Sequence, residues 1–142
     1  MIQIAKSEFE KMVSHARREH PREACGLVAG YQNGTGKMVK KVYCLTNCDH
    51  SENHFSLDVR EQLDSVRQMR KDGMTLLGNW HSHPRQTARM SEEDKRLAYD
   101  EDASYLILSL ARWEQPVLRS YVIHGKKGPG QREFLEETVT IV

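Results

Sequence analysis

The run "MTLLGNWHSH", residues 74–83, places the tightest constraint on what this chain can fold into. It is apolar over strand length and ends at Pro84, which predicts a strand in the middle of a sheet. A second run, "SYLILSLA" at 104–111, is the most apolar strand candidate in the chain. Interior strands need helices or another sheet to cover them. The flanking sequence supplies helices.

"SEFEKMVSHARREHP" (7–21) sets Phe9, Met12, Val13 and Ala16 at i, i+3, i+4 and i+7, one apolar helix face. Ser7 is expected to cap it, Glu10 to complete a capping box, and Pro21 to mark its end. "DVREQLDSVRQMRKDG" (58–73) predicts a second helix, with Val59, Leu63, Val66 and Met69 on one face, Asp58 as cap and Gly73 as stop. "SEEDKRLAYDED" (91–102) opens a short third one. "IQIAK", "ACGLVAGY", "MVKKVYCLTN" and "PVLRSYVIHG" read as further strands. "QNGTGK" (32–37) is a hairpin loop, "CDHSEN" a polar loop, "HFSL" a short extended piece and "KKGPGQ" (126–131) a turn. "REFLEETVTIV" (132–142) is expected to close the sheet as its last strand. The expected fold class is α/β (α+β), a mixed β-sheet flanked by helices, in one domain spanning 1–142.

The net charge of +1 and the lack of a long basic stripe argue against a nucleic-acid partner. No apolar run approaches the roughly 20 residues of a membrane span. The N-terminal "MIQIAKSEFEK" has no apolar signal region, so a cytoplasmic protein with no membrane partner is expected. Three cysteines, an odd count, favour free thiols over a disulfide framework.

The chemistry concentrates in "NWHSHPRQTARMSEEDK", residues 79–95. On an extended segment, positions i and i+2 share a face, so His81 and His83 offer two imidazole nitrogens to one point. Asp94, in the first turn of the short helix, is the nearest good third donor. Two histidines and an aspartate leave a fourth tetrahedral position for water, the pattern of a catalytic zinc. A zinc-bound water has a pKa near 7 and still needs a general base. Glu23, just before a buried strand, is a candidate, although spacing alone does not choose it over Glu92 or Glu93. Ser91 stands three residues before Asp94 and reads as a helix cap.

These residues together resemble the JAMM metalloprotease signature of the MPN+ family. "HSHP", ten residues (84–93) between His83 and Asp94, Ser91 three before that Asp, and the upstream "PREACGLVAG" with Glu23 all match its pattern. The resemblance runs from the first helix to the last strands. It implies an MPN/JAMM-like (cytidine-deaminase-like) fold with zinc held by His81, His83 and Asp94. It further implies that Glu23 takes a proton from the zinc-bound water and returns it to the leaving amine. Ser91 would then donate a hydrogen bond to the oxyanion or to the water. Family members cleave after the C-terminal Gly-Gly of ubiquitin or ubiquitin-like proteins. Small stand-alone bacterial-type members resemble enzymes acting on sulfur-carrier proteins, releasing cysteine, homocysteine or a related residue. One departure is Met90, where many relatives have proline before the serine.

Four rival readings follow from the same sequence. Cys44, Cys48, His50 and His54 are spaced for a second, structural zinc. Cys25, two residues after Glu23, is a candidate thiol nucleophile beside His81 or His83. Fold relatives without ligands are non-catalytic scaffolds. A metal-dependent amidase on small molecules would share the mechanism and differ in substrate.

Overall fold

The computed structural model describes residues 1–125 and 132–142. In chain order the elements are β1 (Ile2–Ile4), α1 (Lys6–Glu19), β2 (Cys25–Asn33), β3 (Gly36–Leu45), α2 (Val59–Lys71), β4 (Thr75–His83), α3 (Glu92–Leu97), β5 (Ser104–Ser109), β6 (Val117–His124), β7 (Glu133–Glu137) and β8 (Val139–Ile141). The eight strands form one sheet in the order β7-β6-β5-β4-β2-β3-β1-β8. β4 lies inside it, antiparallel to β2 and parallel to β5, as the apolar runs at 74–83 and 104–111 require. The class is mixed α/β, with helices against the sheet. The turn expected at 126–131 lies outside the described residues.

Alternation along β2 and β4 sorts the core into two sides. Even-numbered Val28 and Trp80 join Met12, Val13 and Ala16 of α1. Odd-numbered Leu27 and Ala29 meet Met69 and Val66 of α2. His81 and His83 belong to this second parity. Trp80 fixes the register beside them, because its Nε1 crosses β2 to donate to Tyr43 O at 3.1 Å. Gly26 makes that crossing possible: a Cβ there would sit 1.8 Å from Tyr43 O and 2.6 Å from the indole nitrogen.

Several local expectations are corrected. Ser7 caps nothing. The N-cap of α1 is Ala5, without a side-chain cap, and the Lys6 N–H donates instead to Val142 O at 2.9 Å. The sheet edge thus supplies the acceptor that a capping side chain would otherwise supply. Asp58 does cap α2, accepting from Glu61 N, and Gly73 follows its end at φ +75°. The α2 face is covered over only part of its length, leaving Val59 and Leu63 exposed. In the β2–β3 hairpin, strand pairing continues as far as Asn33 and Gly36, reducing the expected loop to Gly34 and Thr35.

"REFLEETVTIV" is two strands, not one. β7 pairs with β6 and β8 pairs with β1, at opposite ends of the strand order, with only Thr138 between them. The sheet therefore curls until its edges meet, which shields strand edges from unwanted pairing. A polar clasp sits at this seam. Glu137 Oε1 accepts from Ser104 Oγ at 2.6 Å and Ser120 Oγ at 2.7 Å, while Lys37 Nζ donates to Ser104 Oγ at 2.8 Å. Among the described residues, no helix is long and apolar enough to cross a membrane.

Candidate active site

β4 ends at His83, and Pro84 stops its ladder there. His81 and His83 are both buried, while Ser82 between them turns the other way. Ser82 Oγ accepts from Ala24 N at 2.8 Å, and its own N–H donates to Ala24 O at 2.9 Å. The end of β4 is thereby stitched to the segment that carries Glu23.

Asp94 arrives on α3 through a capping box. Ser91 Oγ accepts from Asp94 N at 3.0 Å, and Ser91 N donates to Asp94 Oδ2 at 2.9 Å. The reciprocal bonds turn the carboxylate back toward β4. His81 Nε2 lies 3.2 Å from His83 Nε2 and 3.2 Å from Asp94 Oδ1, and His83 Nε2 lies 3.1 Å from Asp94 Oδ2. Donors about 2.0–2.1 Å from one tetrahedral ion stand about 3.3 Å apart; the two imidazole nitrogens have that spacing, and each faces one Asp94 oxygen at a similar distance, an arrangement that fits a single cation. Among the described residues this is the only group of three or more metal-capable side chains brought so close.

The outer hydrogen bonds agree with that fit. His83 Nδ1 lies 2.8 Å from Thr87 O, and a carbonyl only accepts, so Nδ1 carries a proton; in the neutral ring Nε2 then presents a lone pair, and in the charged ring it donates to Asp94. Phe55 stacks on His81 with centroids 4.6 Å apart and planes at 22°, holding the ring in place. Burial pushes the Asp94 carboxyl up, but bonds from His81 and His83 outweigh it and hold it well below the usual carboxylate range. Burial lowers the His81 imidazole. Burial also acts downward on His83, but the Asp94 bond, the Thr87 carbonyl and nearby charge leave it raised.

Glu23 is the fourth member. Its N–H donates to Ser51 O at 2.8 Å, and its carbonyl accepts from Asn47 Nδ2 at 3.0 Å. Glu23 is 4% exposed, and its Oε1 has no hydrogen-bond partner among the described residues. Burial pushes its pKa up to about 8, His83 pulls it down, and Asp94 and Glu93 add to the rise. Glu92 faces solvent beside Lys95, whereas Glu93 is half-buried and near enough for its charge to act on Glu23.

The rival sites do not assemble. Cys44 packs against the α1 side of the core, Cys48 is exposed, and His54 pairs with Asp49 at 3.1 Å. Cys25 faces His81 across the β2–β4 ladder, but burial first, then Cys48 and Glu23, push its thiol up to about 12. A neutral buried thiol is a poor nucleophile. Cys25→Ala is therefore expected to keep at least half of the hydrolytic rate, and a loss above tenfold would return the thiol to the mechanism. Sequence reasoning missed Asn47, Phe55, Ser82 and Thr87, which orient the named residues.

Residues 5–124 match the family model of prokaryotic homologs of the JAB domain. The chain belongs to this family. The JAB domain here is 38% identical over 112 residues to the CysO-cysteine peptidase of Mycobacterium tuberculosis, covering 79% of this chain and 75% of that one. It is 28% identical over 129 residues to a probable TtuB-protein conjugate cleaving protease of Thermus thermophilus, covering 90% and 72%. On these relatives it is a peptidase of the JAB family. Among solved structures, protein DSY2949 of Desulfitobacterium hafniense superposes with a TM-score of 0.88 at 48% identity, over 100% of this chain and 93% of that one. A Salinibacter ruber protein shares the fold at TM-score 0.69 and 24% identity, over 99% and 91%.

Proposed function

We propose that residues 1–142 form a single JAMM-type zinc metallopeptidase domain. It hydrolyses the peptide or isopeptide bond after the C-terminal Gly-Gly of a ubiquitin-like or sulfur-carrier protein, and cysteine or homocysteine is the residue released. The observation that carries this reading is the buried Glu23 carboxyl, with Oε1 unpartnered, beside three converging metal donors.

His81, His83 and Asp94 hold the ion, and when bound it supplies Lewis acidity for the scissile carbonyl and an acidified water. Glu23 Oε1 accepts the proton of the attacking water and delivers it to the leaving amine. Burial raises its proton affinity, and the charge of a bound ion would lower it again toward neutral pH, the range in which one group can do both transfers. Ser91 Oγ accepts from Asp94 N, which leaves its O–H free to donate to the developing oxyanion. Beside the donors, Phe55, His81, Asp94 and Tyr105 line a depression of only about 40 Å³. A strand of glycine, without Cβ atoms, suits so narrow a space. The names of the mycobacterial and Thermus relatives support a carrier-linked substrate. The cytoplasm is the compartment in which Cys25, Cys44 and Cys48 persist as free thiols.

The test is release of cysteine from a small sulfur-carrier protein ending in Gly-Gly-Cys, followed by mass spectrometry. Release that stops with chelator and returns with zinc is the expected result. Intact adducts across several carriers would overturn the substrate assignment, and binding without cleavage would favour a scaffold.

A further inference from the structure

Two unequal spaces flank the three donors. One is the depression of about 40 Å³ just described. The other is a cleft of about 320 Å³, with Glu23 and His83 on its wall and Glu52, Asn53, Arg85 and Gln86 around its rim. That volume is at the small end of ligand sites. The narrow side takes glycine. The wide side, next to the proposed proton carrier, takes whatever leaves as the amine.

Among the described residues, the rim of the wide side bears one cation, Arg85. Arg85 follows His83 by two residues, with Pro84 between them. Its Nη1 lies 3.0 Å from Glu52 Oε1. Both side chains are largely exposed, 71% and 53%, so solvent screens the pair and it exchanges readily. A carboxylate of the ligand can replace Glu52 in the fork of the guanidinium.

The leaving groups open to such a peptidase differ at this position. A single residue joined through its α-amine carries a free α-carboxylate one carbon from the reacting nitrogen. A lysine isopeptide places a methylene chain there, and its own carboxyl is tied into the backbone. Resting on the peptidase reading above, we infer that Arg85 binds the free α-carboxylate of the leaving residue. The chain thereby selects single-residue C-terminal adducts over lysine isopeptides. Glu52 holds Arg85 at the rim until that carboxylate arrives, and the side-chain amides of Asn53 and Gln86 offer further donors.

The test compares a carrier ending in Gly-Gly-Ala with the same carrier ending in Gly-Gly-alaninamide, using the full chain loaded with zinc. The free acid is expected to have about a tenfold higher kcat/KM, chiefly through KM, as one charge-assisted contact gives. In Arg85→Ala the acid falls to the level of the amide. Arg85→Lys recovers part of the preference, and Glu52→Gln strengthens binding of the acid. Equal rates for acid and amide in the unaltered chain, or a preference that survives Arg85→Ala, would overturn the inference while leaving the peptidase reading intact. Binding of acetyl-Gly-Gly-Ala and its amide to the zinc-loaded Glu23→Gln chain gives a readout independent of turnover. Arginine Nε–H shifts in NMR spectra report it. Acid-selective binding through Arg85, with no cleavage of any carrier by the unaltered zinc-loaded chain, would retain the inference and refute the reading of the substrate as a Gly-Gly adduct that is hydrolysed. Equal binding of acid and amide would refute the inference.

Discussion

Glu23→Gln is expected to lower kcat by about 10²- to 10⁴-fold, the usual contribution of a positioned acid–base group, and to leave bound zinc at one equivalent. Glutamine keeps the size and the backbone bonds to Ser51 and Asn47 but cannot accept and return a proton. Zinc content by elemental analysis separates loss of chemistry from loss of the ion. Full activity in the variant would remove Glu23 from the mechanism. A stability measurement on the metal-free chain adds a second check. The folded pKa of Glu23 is raised from 4.5 to about 8, first by burial. The folded state therefore binds this proton more tightly than the unfolded chain, and stability falls as pH rises from about 4.5 to about 8. Glu23→Gln abolishes that part of the slope. The metal-free variant should gain in melting temperature over the unaltered chain at pH 8 and much less near pH 4.5. Parallel pH profiles would show that Glu23 is not buried as an acid.

The parts of this site legible in sequence are those governed by local geometry. The i, i+2 rule puts His81 and His83 on one face whatever the rest of the chain does. The Ser91–Asp94 spacing forms a capping box within four residues. Glu23 is different. Only the register pairing Cys25 with His81 brings it near, and pairing register is a property of the whole sheet. Asn47 ends the strand run at 38–47 and Phe55 lies in the short extended piece at 54–57, and no local pattern in either segment shows that it comes to the site. The same division holds for the fold. The apolar runs mark β4 and β5 as interior, because β5 is buried throughout and β4 is buried from Leu77 to His83 apart from half-buried Asn79. The switch at Thr138 from one sheet edge to the other has no local signature, since it depends on how far the sheet curls. On α2, periodicity marks a stripe but not the length that the sheet covers, so Val59 and Leu63 carry the pattern without the burial. The cap expected at Ser7 fails for a related reason: an acceptor distant in sequence, Val142 O, reaches the helix start first.

Asp94 joins two tasks that substitution can separate. Its carboxylate faces both histidines, and its Oδ2 also accepts from Ser91 N in the capping box. Asp94→Asn and Asp94→Ala are both expected to weaken zinc binding by more than about 100-fold, beyond the usual effect of losing a group behind a ligand, and to abolish hydrolysis. Their metal-free stabilities should differ. The asparagine oxygen still accepts from Ser91 N, and its amide donates to the lone pair of a histidine. Alanine does neither and leaves the start of α3 uncapped on one side. The alanine variant is therefore expected to be less stable than the asparagine variant by about 1 kcal/mol, the usual cost of a lost cap. Chelator-treated unfolding curves measure that difference, and competition with a zinc indicator measures the affinities. Retained zinc binding in Asp94→Asn would show that two histidines suffice to hold the ion. Equal metal-free stability of the two variants would show that the box does not anchor α3. The carboxylate would then reach the histidines for a reason other than the cap.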